Sequence, residues 1–236
     1  MPGYLTKQES LAIAGADDLV IRSLLDRQQF SDPLGVAERL GISSAAWPLF
    51  GLPWPSGAEL AARLLARPQR AGERILEIGC GLALASIAGH RRGDDITASD
   101  CHPLAEAFLA GNLRLNGLPP MKYRHGHWGG VPESAEPAVD GAVPSVAGRF
   151  DFVIGSDVLY ERDADGSLAH FIAAHAEADA EVWIVDPDRG NRAAFSRRMA
   201  EHGFDLHEER LDRIAAGRSP AYKGRMLVYQ RGEAQQ

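Results

Sequence analysis

The densest chemistry in the sequence lies in Ile75-Leu-Glu-Ile-Gly-Cys-Gly-Leu-Ala-Leu-Ala85. Gly79 and Gly81 follow an apolar run that reads as a strand and open a run that reads as a helix. Having no Cβ, both let the backbone turn tightly and let a ligand approach it closely. Glu77 sits at the end of the apolar run, where a carboxylate can accept hydrogen bonds or attract a cationic ligand. Asp100 closes the next strand-like segment, 21 residues after Gly79. An acid at about that spacing binds both hydroxyls of a ribose. Strand, glycine turn, helix, strand and acid in this order describe a nucleotide-type cofactor site; the plainer alternative is an αβ unit with a tight turn. A dinucleotide fingerprint would carry a third glycine where Leu84 stands, which counts against a nicotinamide cofactor.

These residues need a scaffold, and the flanking pattern supplies one. Ile75 to Ile78, Asp95 to Ser99, Met121 to Arg124, Phe150 to Gly155, Glu181 to Val185, Phe204 to Glu209 and Met226 to Gln230 read as strands. Leu82 to His90, Leu104 to Leu115, a face marked by Leu168, Phe171, Ile172 and His175, and Arg192 to Glu201 read as helices. Alternation of this kind implies an α/β fold, a mostly parallel sheet covered on both faces. Two strands in succession at the end imply an antiparallel edge. Before this unit, Leu19, Ile21, Leu24 and Leu25 form one apolar patch, and Val36 and Leu40 begin another. The expectation is a helical extension over residues 1–50, followed by one domain over 51–236. Ser56 and Glu59 are spaced as a capping box for a helix carrying Leu60, Leu64 and Leu65. Val131 to Gly148 has three prolines and neither aromatic nor basic residues, and reads as a solvated inserted loop.

Further residues lie where this scaffold presents ligands. Trp54-Pro-Ser-Gly57 precedes the glycine turn. Asp100-Cys-His-Pro103 follows the second strand, with Asn112 and Asn116 on the next helix. Trp128-Gly129 follows the third strand, and Asp157-Val-Leu-Tyr160 the fourth. With Glu77-x-Gly79-x-Gly81, these segments resemble the class I S-adenosylmethionine-dependent methyltransferases, and within them the seven-strand protein-lysine methyltransferases of family 16. The resemblance spans about Trp47 to Gln230. Ala83 stands where that family usually has glycine. Asp186-Pro-Asp-Arg189-Gly is more similar to bacterial relatives near the electron-transfer-flavoprotein lysine methyltransferases.

The resemblance implies a Rossmann-like, doubly wound, mostly parallel seven-stranded sheet with an antiparallel edge strand. It also implies S-adenosylmethionine as cofactor, S-adenosylhomocysteine as product, and a protein substrate methylated on a lysine nitrogen. Trp54, Glu77, Gly79, Gly81, Asp100, Trp128 and Ser156 are the expected cofactor-binding residues. Trp128 offers an aromatic face to the cofactor, or is a core tryptophan; Trp54 closes the pocket, or staples the helix behind it. Asp157 and Tyr160 are the expected catalytic residues, with a helix cap and a packing tyrosine as the structural alternatives. Asp157 would orient or deprotonate the incoming amine, and Tyr160 would wall the methyl channel. Other acceptors fit the same motifs, notably a small-molecule amine or nicotinamide. A nicotinamide-dependent oxidoreductase and a non-catalytic cofactor-binding module are the readings from other classes.

Composition bounds these readings. The chain has 236 residues, is 45% hydrophobic and carries a formal charge of -7. That charge argues against general nucleic-acid or anionic-membrane binding, which both need a basic footprint. Cys80 and Cys101 form no CxxC pair, and no apolar run is long enough to span a bilayer. With a polar start from Met1 to Ser10, the expected location is the cytoplasm. His125-Gly-His127 gives two ligands where a catalytic zinc needs three, so no metal is expected.

Overall fold

The computed structural model describes residues 3–129, 143–160, 163, 165–215 and 221–231. After an N-terminal segment, α2 (Pro55–Ala66) leads into β3 (Arg74–Ile78), α3 (Leu84–Arg92), β4 (Asp95–Asp100), α4 (Ala105–Leu115) and β5 (Lys122–His125). Then follow β6 (Phe150–Ser156), α5 (Ser167–His175), β7 (Ala176–Asp186), α6 (Arg192–Glu201), β8 (Phe204–Arg210) and β9 (Arg225–Arg231). The seven strands form one sheet in the order β5-β4-β3-β6-β7-β9-β8. The first five are parallel, and β9 runs antiparallel between β7 and β8. The seven-stranded sheet and the antiparallel pairing at one edge are as the sequence implies. The chain winds outward from β3 through β4 to β5, then restarts at β6 on the other side of β3. That reversal is the switch point beside which open α/β sheets hold ligands.

Side chains alternate across the strands and so build two cores. Ile75, Phe152, Ile154, Trp183 and Val185 face one, with Leu60 and Leu64 of α2, Ile87 of α3 and Phe108 of α4. Leu76, Ile78, Val153, Val182 and Ile184 face the other, with Leu168 and Ile172 of α5 and Phe195 and Met199 of α6. The central strands β3, β6 and β7 are therefore buried on both faces and largely apolar where they face both cores, which is why they contain nearly continuous apolar runs.

The first fifty residues correct the sequence reading. They are not a helical extension. β1 (Thr6–Leu11) and β2 (Leu19–Leu24) make an antiparallel hairpin, followed by the single turn α1 (Val36–Arg39) and a 3-10 turn at Trp47–Gly51. Leu19, Ile21 and Ser23 are buried at a period of two, while Val20 and Leu25 are exposed. Leu19, Ile21, Leu24 and Leu25 fit both periods, and β-branched Val20 and Ile21 favour the strand. Leu19, Ile21, Leu24 and Trp47 join the same core as α2 to α4.

Asn112 of α4 and Asn116, which caps its C-terminus, hold this hairpin. Asn112 Oδ1 accepts from the Arg22 amide at 2.8 Å. Asn116 Oδ1 accepts from the Val20 amide at 2.9 Å, and its Nδ2 donates to the Val20 carbonyl at 2.8 Å. One helical turn apart, the two side-chain amides satisfy β2 as a neighbouring strand would.

Two smaller expectations change. Ser56 does not cap α2, because Pro55 takes the first helical position and Trp54 is the N-cap; Ser56 Oγ instead pairs with Tyr222 Oη at 2.9 Å, and Glu59 with Arg213. Of the expected loop Val131 to Gly148, residues 131–142 lie outside the described residues. The remainder is not simply solvated. The His125 amide donates to Pro144 O and the Val146 amide to His125 O, both at 2.9 Å, so this piece lines the edge at β5. Among the described residues, no helix is long and apolar enough to cross a membrane.

Replacing Asn112 with Ala leaves the Arg22 amide unpaired against α4. The expected loss of stability is about 1–3 kcal/mol, read from urea unfolding; a change below about 0.5 kcal/mol would show that the grip adds nothing net.

Candidate active site

The turn from β3 into α3 sets the site. Gly79, Gly81 and Ala83 all have left-handed backbone, with φ of 55°, 51° and 59°. A Cβ on Gly81 would lie 2.8 Å from the Phe50 carbonyl oxygen, and one on Gly79 2.9 Å from Val158 Cγ1 and 3.2 Å from Trp128 Cζ2. Ala83 meets the same backbone demand with the smallest side chain, at a cost in strain. Because the turn has no polar side chain to cap α3, two distant acids satisfy its amides. Glu77 Oε2 accepts from the Ser86 amide at 2.7 Å, in the first turn of α3 where the helix dipole is positive. Asp100 Oδ2 accepts from the Gly81 amide, and its Oδ1 from the His102 amide, both at 2.8 Å. Burial pushes the Glu77 carboxyl up to about 7, with the Ser86 hydrogen bonds opposing it. Burial also raises Asp100, against its amide bonds.

His102 lies beside this turn. Its ring stacks on Phe50 at 3.6 Å, and its Nδ1 accepts from the Leu104 amide at 3.2 Å. Burial drives its pKa down to about 3, so the ring is neutral at physiological pH.

Across the switch point, the tip of β6 carries the second group of candidates. Ser156 is its last residue, and Asp157 follows with a φ of 57°, a conformation that Asp tolerates better than most residues. The Asp157 amide donates to Val185 O at 3.0 Å, fixing the turn to β7. Arg189 Nη2 donates to Asp157 Oδ1 at 2.6 Å, while Oδ2 is buried and without a hydrogen-bond partner. Arg189 is held in turn, since its amide donates to Asp186 Oδ1 at 2.6 Å. Asn191 Nδ2 donates to Leu159 O at 2.9 Å and ties the two loops together. Tyr160 stands 42% exposed.

One cavity of about 640 Å³ lies over these strand tips, lined by all nine sequence-predicted residues: Trp54, Glu77, Gly79, Gly81, Asp100, Trp128, Ser156, Asp157 and Tyr160. Its size is within the range of small-molecule and cofactor pockets. Trp54 is anchored by Nε1 to Leu49 O at 2.9 Å. Trp128 is half-buried and lies against the Gly79 turn, with Nε1 unpartnered. Sequence reasoning missed three residues that share the cavity: Arg27, His102 and Arg189. The Asp157–Arg189 pair links the ends of two neighbouring strands; Arg189 stood in the Asp186-Pro-Asp-Arg189-Gly segment, but only the acid was given a role at the site. His127 also lines the cavity, with Nε2 3.3 Å from Leu40 O.

The chain is similar in sequence to curated lysine methyltransferases and spans between about half and three quarters of their length. The chain is 28% identical over 159 residues to the electron transfer flavoprotein beta subunit lysine methyltransferase of Danio rerio, covering 66% of this chain and 56% of that protein. The protein of the same name from Rattus norvegicus is 26% identical over 207 residues, 86% of this chain and 72% of the relative. The solved structure of magnesium protoporphyrin IX methyltransferase from Synechocystis PCC 6803, with bound S-adenosylhomocysteine, superposes with a TM-score of 0.53 at 16% identity. It covers 75% of this chain and 82% of that one. The chain has the class I methyltransferase fold. No family profile matches it. In this methyltransferase fold the cavity lies over β3, β4 and β6, the strands on either side of the switch point.

Gly81→Ala adds a Cβ against the Phe50 carbonyl at a positive φ. We expect a loss of about 1–3 kcal/mol in urea unfolding; a wild-type midpoint would show that the turn relaxes freely.

Proposed function

We propose that the chain is an S-adenosylmethionine-dependent methyltransferase whose acceptor is a lysine nitrogen in a protein. The observation that carries this is the pairing of a side-chain-free cradle at Gly79 and Gly81 with a buried, half-used carboxylate at Asp157, on one cavity. The lysine methyltransferases among the relatives support the acceptor. The oxidoreductase reading gains no support, since Leu84, at the third glycine position, is buried at the start of α3.

Bound S-adenosylmethionine supplies a sulfonium methyl for in-line displacement, with a neutral thioether leaving. Gly79 and Gly81 admit it against the backbone. Asp100 already accepts two amide bonds and retains lone pairs for both ribose hydroxyls. Ser156 lines the adenosyl part, Trp54 closes the pocket and Trp128 presents its ring edge beside Gly79. Glu77 attracts the cofactor's ammonium group. Asp157 Oδ2 accepts an N–H of the incoming amine, and Tyr160 walls its channel at the mouth.

The acceptor nitrogen must be neutral to use its lone pair, although a free lysine has a pKa of about 10.4. Two features of the site select the neutral form. Burial disfavours the ammonium, and Arg189 already balances the Asp157 charge, so an arriving ammonium meets a like charge beside the carboxylate. Asp157 thus acts by orienting the nitrogen along the methyl–sulfur axis. We further propose a cytoplasmic setting and no general nucleic-acid partner, in keeping with the acidic net charge.

The test is methyl transfer from labelled S-adenosylmethionine in a cell lysate. Label should enter protein in the wild type; Asp157→Ala should cut transfer by about 100-fold with S-adenosylhomocysteine affinity kept. Label confined to small molecules would replace the acceptor, and undiminished transfer would remove Asp157 from the mechanism.

The Glu77 carboxyl adds a pH dependence. Its value of about 7 lies above the ordinary carboxylate range, so it is protonated below neutrality and ionised above. An ammonium-bearing ligand favours the ionised form, so affinity for S-adenosylhomocysteine should rise from pH 6 to 8, by at most about tenfold per pH unit below 7. Glu77→Gln should flatten the profile in calorimetry, and a flat wild-type profile would remove the ammonium from Glu77.

A further inference from the structure

The cofactor reading leaves one charge unanswered. S-adenosylmethionine and its product carry an α-carboxylate as well as an ammonium. The acids at the cavity, Glu77, Asp100, Asp157 and Asp163, repel that carboxylate. Four side chains with basic nitrogens line the same cavity: Arg27, His102, His127 and Arg189. His102 is neutral, for burial holds it near 3. Arg189 is committed to Asp157 at 2.6 Å, and His127 faces the Leu40 carbonyl.

Arg27 differs from all three. Its guanidinium lies over the Trp54 ring, 4.9 Å from the centroid. Among the described residues it has no carboxylate partner. The neighbouring Asp26 turns away, accepting from the Gln28 amide at 2.8 Å and from Gln29 Nε2 at 3.0 Å. Stacking on an aromatic face fixes the plane of a guanidinium while leaving its edge N–H groups free, which suits bidentate capture of a carboxylate.

The position is also suitable. Asp100 ends β4, on one side of β3. Ser156 ends β6, on the other side, and Asp157 follows it. The helix that begins beside Trp54 brings Gly57 against Ser156, whose Oγ lies 3.7 Å from where a Gly57 Cβ would be. A cofactor with its ribose at Asp100, crossing the glycine turn toward β6, brings its amino-acid end to the side that Trp54 and Arg27 cover.

The geometry points to Arg27 as the residue that binds the α-carboxylate of the cofactor's amino-acid part, which makes the segment after the N-terminal hairpin a wall of the cofactor site. The assignment rests on the cofactor reading above, and the test separates the two. Calorimetry compares wild type, Arg27→Ala and Arg27→Lys with S-adenosylhomocysteine and with 5′-methylthioadenosine, which keeps the adenosine and thioether but lacks the amino-acid part. Arg27→Ala should lose about tenfold or more in affinity for S-adenosylhomocysteine and stay within about twofold of wild type for methylthioadenosine. Arg27→Lys should recover part of the loss. Unchanged S-adenosylhomocysteine binding in Arg27→Ala would overturn the assignment, and so would equal losses for both ligands, which would mean a structural role. Binding of neither ligand by the wild type would sink the cofactor reading itself, and the assignment with it.

Discussion

Room at the β3–α3 turn governs much of this structure. Between the end of β3 and the start of α3 the chain passes through three left-handed positions within five residues, against the Phe50 carbonyl on one side and Val158 and Trp128 on the other. No side chain fits at the two glycines. The turn consequently has no polar groups to satisfy its own amides or the helix that follows. Glu77 and Asp100 do this from outside, and in doing so they pin β3, α3 and β4 to one another. The 3-10 turn at Trp47–Gly51 sits directly on this arrangement, and Phe50 in turn stacks on His102. A small local clearance thereby fixes the floor and one wall of the cavity.

Acids then collect at one end of the sheet. Glu77 is the penultimate residue of β3, Asp100 ends β4, Asp157 follows β6 and Asp186 ends β7, and all four are buried. Each is held by backbone amides or by an arginine, as buried carboxylates must be. Glu77, Asp100 and Asp157 line the cavity and make its rim acidic, which suits the proposed sulfonium ligand and amine acceptor. Arginine tempers this rim at the strand where the acceptor is proposed to enter. The result is an acid that can accept a hydrogen bond there without drawing in a second full positive charge.

Much of this was legible in the sequence because the central strands are buried on both faces and the glycine turn tolerates few substitutes. Both constraints act locally, so residue type and spacing report them. The first fifty residues were read wrongly because Leu19, Ile21, Leu24 and Leu25 suit a helix face nearly as well as a strand, and the decision falls to Asn112 and Asn116, some ninety residues on. Ser56 looked like a cap, but Tyr222 claims its hydroxyl across 166 residues. Arg27 was missed, and Arg189 was quoted but given no role, for a similar reason. Their partners are a ring and an acid brought near by the fold, and residue spacing does not report such pairings.

The asparagine grip on β2 has a consequence for the dimensions of the site. A slip of the hairpin by one residue would turn Leu19 and Ile21 outward and carry the Val20 and Arg22 amides away from α4. Two side-chain amides therefore act as a register key. Arg27 follows β2 by three residues, and α4, which carries the key, begins five residues after Asp100. The span from Asp100 to Arg27 is thus measured by one helix and one hairpin register, like a caliper whose jaws both line the cavity.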